Sequence, residues 1–200
     1  MKDTDKVIHL NERQNRIMEI MRQQNAVSVA TLSSLMKVSD RYSNDRSVAE
    51  KEKLYADEKH AIGVYAARLI GPDDTIMVAS GTTTLAMARE IGQNDRLTVI
   101  TSAFSVASEL STRRSVDVIQ LGGMVRRSSL SVLGPFAEQM LGSLSCSKLF
   151  MGVDGVDLDY GVTTTNHIEA SLHKQMIASV QKVIVLADSS KFGRRGFSKI

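Results

Sequence analysis

The clearest alternation of apolar and polar positions lies in the second half of the chain. Short apolar runs at Thr75–Ala79, Leu97–Thr101, Val116–Leu121, Lys148–Val153 and Lys182–Ala187 have the length and β-branched content of buried strands. Between them, helical spacing predicts helices over Thr83–Ile91, Ala103–Thr112, Pro135–Leu144 and Ile168–Ser179, the third opened by proline at its first turn. Strands alternating with helices imply a mainly parallel sheet covered on both faces, a Rossmann-like α/β fold. No long internal repeat or low-complexity segment interrupts the pattern.

Upstream the period is helical. Residues 47–70 form one long helical pattern, with a charged, solvated first half and an apolar stripe of Ile62, Tyr65, Ala66 and Leu69 in the second. Gly71-Pro72 stops it. Residues 11–24 and a shorter stretch ending near Met36 read as two helices, and Ser39 as the N-cap of a third. Two helices, a tight turn and a capped third start a helix-turn-helix. The third helix enters the DNA major groove in that motif. After Asp40, however, Arg41 to Arg46 have no helical period and no basic wing follows. Three explanations fit: residues missing from the written sequence, a deletion, or a helical arm that only dimerises. The first best accounts for a motif that ends abruptly. The expected organisation is a partial winged helix-turn-helix over residues 1–40, a linker and connecting helix over 41–70, and an effector-binding domain over 71–200.

Composition narrows the function. Aromatic residues make up 4% with no Trp, which argues against a base-stacking surface for single-stranded nucleic acid. A net charge of +3 and a pI near 9.0 are compatible with nucleic acid without demanding it. One cysteine, Cys146, offers neither an intrachain disulfide nor a zinc cluster, and no metal or other cofactor is expected. Without a membrane-length apolar run or a leader-like start, the expectation is a soluble cytoplasmic protein.

Candidate chemistry collects at the carboxyl ends of the strands, where open α/β sheets bind ligands. Ser80-Gly81-Thr82-Thr83-Thr84 joins a strand to a helix start, an arrangement that aims free N–H groups and the positive helix end at one point, as a phosphate cradle requires. The competing reading makes Thr82 an ordinary N-cap. Beyond it come Thr101 and Ser102, then Gly122 and Gly123 with Arg126 and Arg127, then Asp154, and finally Asp188 and Lys191. Hydroxyls, cations and carboxylates on one rim suit a phosphorylated polyol. Each also has a structural reading: Ser102 as an N-cap, Gly122-Gly123 as a turn, Arg126 and Arg127 as solvated cations, Asp154 and Asp188 as caps or ion pairs. Asn166 and Glu169 have capping-box spacing, favoured over ligand contact. His167 and His173 read as surface residues.

These segments resemble the DeoR family of bacterial transcription repressors. The resemblance rests on Glu12 to Ile17 through Lys37 to Ser39, Ser80 to Leu85, Leu121 to Arg126, Gly152 to Gly155, Gly161 to Thr164 and Ala187 to Gly193, in the family's order across nearly the whole chain. It implies a sensor fold related to ribose-5-phosphate isomerase, glucosamine-6-phosphate deaminase and CoA transferases, with an N-terminal helix-turn-helix. It implies that Ser80, Gly81, Thr82 and Thr83 hold an effector's phosphate, and the loop's own hydroxyl pattern adds Thr84 to the candidates. Asp154, Asn166, Glu169, Asp188 and Lys191 would line the sugar end, beside Thr101, Ser102, Gly122, Gly123 and Arg126. It implies operator double-stranded DNA as a partner, a phosphorylated sugar effector and a homo-oligomer. Ser28 and Ser39 are the DNA-contact candidates, because the recognition helix itself is not in the sequence. The family's sensor also continues past the position of Ile200. The expected function is a repressor of a sugar catabolic operon. The alternatives are an isomerase- or deaminase-like enzyme using Asp154, Asp188 and Lys191, against which no nucleophile with a paired base is evident, and a protein-interaction module whose first helices dimerise.

Overall fold

The computed structural model describes residues 47–92 and 96–200. The expected helix-turn-helix, with Ser28 and Ser39, lies outside the described residues.

The polar-apolar pattern of the strands becomes a five-stranded sheet in which every pairing is parallel. Its strands are β1 (Thr75–Val78), β2 (Leu97–Thr101), β3 (Val116–Gln120), β6 (Cys146–Gly152) and β9 (Val180–Leu186), in the order β3-β2-β1-β6-β9. The period of two divides the core. Ile76 and Val78 of β1 face one layer, with Phe150 of β6, while Met77 and Ala79 face the other with Leu149 and Met151. Helices α2 (Ala56–Ala67), α3 (Thr82–Arg89) and α4 (Phe104–Ser111) cover the first face. The second is covered by α5 (Pro135–Leu141) and α6 (His167–Ala178).

Three short pairings were not expected from the pattern. β4 (Met124–Arg126) and β5 (Ser131–Leu133) form an antiparallel hairpin where a loop was expected. β7 (Gly155–Asp157) and β8 (Gly161–Thr164) form another, extended by β10 (Ser198–Lys199).

The long helix expected over residues 47–70 is two helices. The first, α1 (Val48–Lys53), ends at Leu54, and Tyr55 turns the chain in the left-handed region at φ 56° before α2 begins. The break is held by Lys59, whose ammonium donates to the carbonyls of Lys51 and of Leu54, the latter at 2.6 Å. Lys51 lies in the last turn of α1 and Leu54 is its C-cap; the Lys51 carbonyl also accepts from the Leu54 N–H at 3.3 Å, and carbonyls at a helix end need partners of this kind. Lys59 is consequently 6% exposed, not part of a solvated face. The expected stripe holds in part: Ala66 is buried and Ile62 packs against the core, whereas Tyr65 is 67% exposed and Leu69 is exposed, and α2 turns Lys59 and Gly63 inward with Ala66. The reason is close backbone packing. A Cβ on Gly63 would lie 2.8 Å from the Ala86 carbonyl carbon and the Met87 nitrogen of α3, so glycine lets the two helices touch.

Candidate functional site

The strand order reverses between β1 and β6: β1 leads outward through β2 to β3, and β6 through to β9. The crevice at such a switch point, beyond the carboxyl ends of the strands, is where open α/β sheets hold ligands. Here β1 runs into Ser80-Gly81 and β6 into Val153-Asp154. Gly81 adopts φ 157°, and a Cβ placed on it would lie 3.1 Å from the Thr84 hydroxyl and 3.9 Å from Gly152.

Gly81, not Thr82, is the N-cap of α3, and no side chain caps this helix. The Thr82 N-cap reading is therefore overturned. The first N–H groups of α3 keep their donors directed out of the helix start, where the helix dipole favours an anion. Not every hydroxyl of the loop shares that role. Thr84 Oγ1 donates to the Gly81 carbonyl at 2.9 Å and Ser80 Oγ to Glu169 at 2.9 Å. Thr82 and Thr83 have no such internal acceptor among the described residues.

Opposite α3 stands a network built around two carboxylates. Asp154 Oδ1 lies 3.3 Å from Lys51 Nζ of α1, and its Oδ2 accepts from the Thr165 N–H at 3.1 Å and the Thr165 hydroxyl at 3.2 Å. Burial works against ionisation of Asp154. Lys51, Lys191 and the Thr165 N–H outweigh it and hold the carboxyl below its ordinary value. Glu169 accepts from Ser80 on Oε1 and, at 2.7 Å, from the Arg126 guanidinium on Oε2. The Thr164 hydroxyl sits 3.1 Å from Asp154 Oδ2 and 2.9 Å from Glu169 Oε2, and its one proton serves either.

This alters several expectations. Arg126 is no solvated cation but the partner of a buried carboxylate, whereas Arg127 is exposed. Asn166 does cap α6, its side chain accepting from the Glu169 N–H at 3.0 Å. The reciprocal half of the capping box is not made, because the Glu169 carboxylate turns to Ser80, Thr164 and Arg126. Asp188 caps the 3-10 turn Ser189–Lys191 through Oδ1, while its buried Oδ2 has no partner among the described residues. Lys191 lies close enough to influence both Asp154 and Lys59.

Ser102 is not an N-cap, since Ala103 holds that position, and the buried Ser102 hydroxyl has no hydrogen-bond partner among the described residues. Thr101 is committed internally: its hydroxyl donates to the Val78 carbonyl at 2.7 Å and accepts from the Ala103 N–H at 3.1 Å. Gly122 and Gly123 are exposed at the base of the β4–β5 hairpin. A Cβ on Gly123 would meet the Leu133 carbonyl at 2.7 Å, so its smallness serves the hairpin.

Sequence reasoning missed Lys51, Lys59, Thr164 and Thr165, and misplaced His173. His173 is 2% exposed, one helical turn after Glu169. Burial lowers its pKa against the pull of Glu169 and Asp154, so the ring is neutral near pH 7. Its Nδ1 has no partner among the described residues. Thr164 was within reach, because it closes the Gly161 to Thr164 segment that carried part of the resemblance.

The sequence model described as the DeoR C terminal sensor domain matches residues 55–200. The chain belongs to the DeoR family. It is 32% identical to the "Putative aga operon transcriptional repressor" of Escherichia coli O157:H7, over 98% of this chain and 83% of that protein. It is also 32% identical to the "Uncharacterized HTH-type transcriptional regulator YulB" of Bacillus subtilis, over 94% and 83%. The first of these alignments runs over 224 positions against the 200 residues here, so that relative carries residues with no counterpart in this chain. Among solved structures, ribose 5-phosphate isomerase A of Methanocaldococcus jannaschii superposes with a TM-score of 0.50 at 16% identity, over 68% of this chain and 54% of that one. The eIF2B delta chain of Chaetomium thermophilum gives 0.50 at 14% identity, over 96% and 76%. Those likenesses show the fold alone. As a DeoR-family chain the protein is a transcriptional regulator, not an isomerase. No helix among the described residues is long and apolar enough to cross a membrane.

Proposed function

We propose that this DeoR-family chain is a cytoplasmic repressor of a sugar catabolic operon, acting as a homo-oligomer whose grip on operator DNA is set by a phosphorylated sugar. The observation that carries this reading is the uncapped start of α3 at the switch point of the sheet. Its N–H groups and the Thr82 and Thr83 hydroxyls suit a phosphate. Across the crevice, Lys191 and the carboxylates of Asp154 and Asp188 suit the hydroxyls of a sugar. Arg126 and Glu169 brace that wall through each other. Lys59, Lys191 and Arg126 balance the carboxylates of Asp154, Glu169 and Asp188 in number, which leaves the ligand's negative charge to the positive end of α3. The Ser102 hydroxyl and Asp188 Oδ2 are further polar groups at strand ends that a polyol would satisfy.

The test is titration calorimetry with ribose 5-phosphate and glucosamine 6-phosphate against the unphosphorylated sugars. A gel shift follows on duplex DNA from the control region of the adjoining operon. Phosphate-dependent binding that changes the shift supports the reading. Thr82→Ala and Lys191→Ala are expected to weaken sugar-phosphate binding about tenfold each, as loss of a hydrogen bond to a charged group does. Equal binding of the phosphorylated and free sugars, or unchanged affinity in both variants, overturns the site.

A further inference from the structure

The helix that leads into the sensor is fastened to the wall of the site it serves. Helix α1 has no buried residue and only 6 residues, fewer than two turns, too little to hold it in place by itself. Backbone and side-chain contacts from its neighbours fix it. The Val48 N–H donates to the Ser128 carbonyl at 2.8 Å, in the turn of the hairpin that carries Arg126. Lys59 gathers its C-terminal carbonyls. Lys51 reaches across to Asp154 Oδ1 at 3.3 Å, with both side chains largely shielded, at 28% and 16% exposure. Glu52, the next residue, pairs with Arg89 of α3 at 2.8 Å in an exposed ion pair that contributes little by itself. Asp154 has its second oxygen occupied by Thr165, with Thr164 beside it, so Oδ1 is the face it turns toward a ligand, and Lys51 is already there.

We propose that Lys51 is a latch: its ammonium holds Asp154 where a sugar effector would bind, so that effector and linker helix compete for one carboxylate. This rests on the reading of the rim as the effector site. A polyol hydroxyl that donates to Asp154 Oδ1 displaces the ammonium, and α1 loses its ion pair with the floor of the site. Because α1 follows residues 1–46 directly in the chain, occupancy of the pocket is felt at the helix that comes after them. A ligand acts on this equilibrium only through its unequal affinity for the latched and open states, and the shared carboxylate supplies that inequality.

The test is amide hydrogen exchange in the full chain, read over residues 48–54, with residues 146–152 of β6 as the reference for intact folding. Without ligand, Lys51→Met and Asp154→Asn are each expected to speed exchange over residues 48–54 about tenfold, the double variant adding nothing further, while β6 stays protected. Lys51→Arg is expected to restore protection. Unchanged exchange in Lys51→Met overturns the latch whether or not any sugar binds. Ribose 5-phosphate and glucosamine 6-phosphate are then added. The latch predicts faster exchange over residues 48–54 in the wild type and tighter sugar-phosphate binding by Lys51→Met, which lacks the competitor. Slower exchange on binding, or weaker binding by Lys51→Met, means that Lys51 assists the ligand and overturns the competition. If neither sugar phosphate binds in calorimetry, the effector reading fails and ligand opening fails with it.

Discussion

Arg126 and Glu169 meet at 2.7 Å and join the β4–β5 hairpin to the first turn of α6, with only 12% and 8% of their side chains exposed. The pair is braced rather than isolated, because Ser80 and Thr164 hydroxyls satisfy the same carboxylate. It therefore ties the end of β1, the end of β8, the hairpin and α6 into one wall. Removing one member of such a pair strands a buried charge, which costs more than the pair contributes as a whole.

Arg126→Met is accordingly expected to destabilise the sensor by roughly 3 kcal/mol, within the range for a buried pair broken from one side. Arg126→Met combined with Glu169→Gln is expected to recover part of that loss, because the stranded charge is gone. Urea unfolding of the four proteins of the cycle measures it. A single variant as stable as wild type means that water reaches Glu169 and the wall is not dry.

Gly63→Val is expected to cost more than about 3 kcal/mol, beyond ordinary overpacking, because its clash is with backbone rather than with a movable side chain. The wedge pushes α2 off α3, so the same variant is expected to weaken binding at the Thr82–Thr84 turn. Gly142→Ala is the control: its added Cβ meets nothing closer than 3.4 Å and its φ of −61° suits any residue. Thermal melts and sugar-phosphate titrations of the two variants separate packing from glycine content.

The fold was legible because its strands are short apolar runs, largely buried in the central β1, β2 and β6, although the edge strands β3 and β9 leave Ile119, Val183 and Val185 exposed. Leu97–Thr101 has the bounds the pattern assigns it, and the other four strands fall within about two residues. The loops at their carboxyl ends were legible for the same reason, since knowing where a parallel strand stops places its loop on the ligand side. What could not be read is the work of contacts distant in sequence. A lysine in the run Glu50 to Lys53, or at 59, has the same local pattern whether it is solvated or buried. Lys59 is buried because the chain breaks at Tyr55 and presents carbonyls to it. Lys51 is shielded because Asp154, 103 residues away, lies beneath it. Strands as short as Met124–Arg126 and Gly155–Asp157 leave no period to detect. His173 looked like a surface residue on a polar helix, and only the packing of α6 against the sheet shows otherwise.

His173 gives stability a pH dependence with a definite sign. Its folded pKa lies below the ordinary value, so at mildly acidic pH the unfolded chain binds a proton that the fold does not. Stability is therefore full above about pH 6.5, the unfolded value, and falls as pH drops below it, by at most about 1.4 kcal/mol per pH unit for one proton. Asp154 acts in a lower window. Its depressed pKa contributes stability that is present above about pH 4 and lost as pH falls through the folded value. Urea midpoints from pH 8 to pH 5 are expected to decline in the wild type and to flatten in His173→Gln, whatever that variant costs at pH 8.

The last prediction concerns Gly81, where the loop geometry and the proposed ligand meet. At φ 157° an alanine is strained, and its Cβ enters the space between the Thr84 hydroxyl at 3.1 Å and Gly152 at 3.9 Å. The backbone relieves this by rotating at residue 81, which re-aims the N–H groups at the start of α3. Thr84 loses its bond to the Gly81 carbonyl in the same motion. Two effects follow with different sizes. Strain of this kind costs about 1–3 kcal/mol of stability, which a sensor with two intact core layers survives. Misdirected donors cost each hydrogen bond to the phosphate, and two such losses amount to a hundredfold or so in affinity. Gly81→Ala is thus expected to melt as a folded protein yet to lose sugar-phosphate binding almost completely, while Ser80→Ala, which touches Glu169 rather than the helix start, loses far less. Calorimetry on the two variants decides it. Near-normal affinity in Gly81→Ala would place the phosphate elsewhere on the rim.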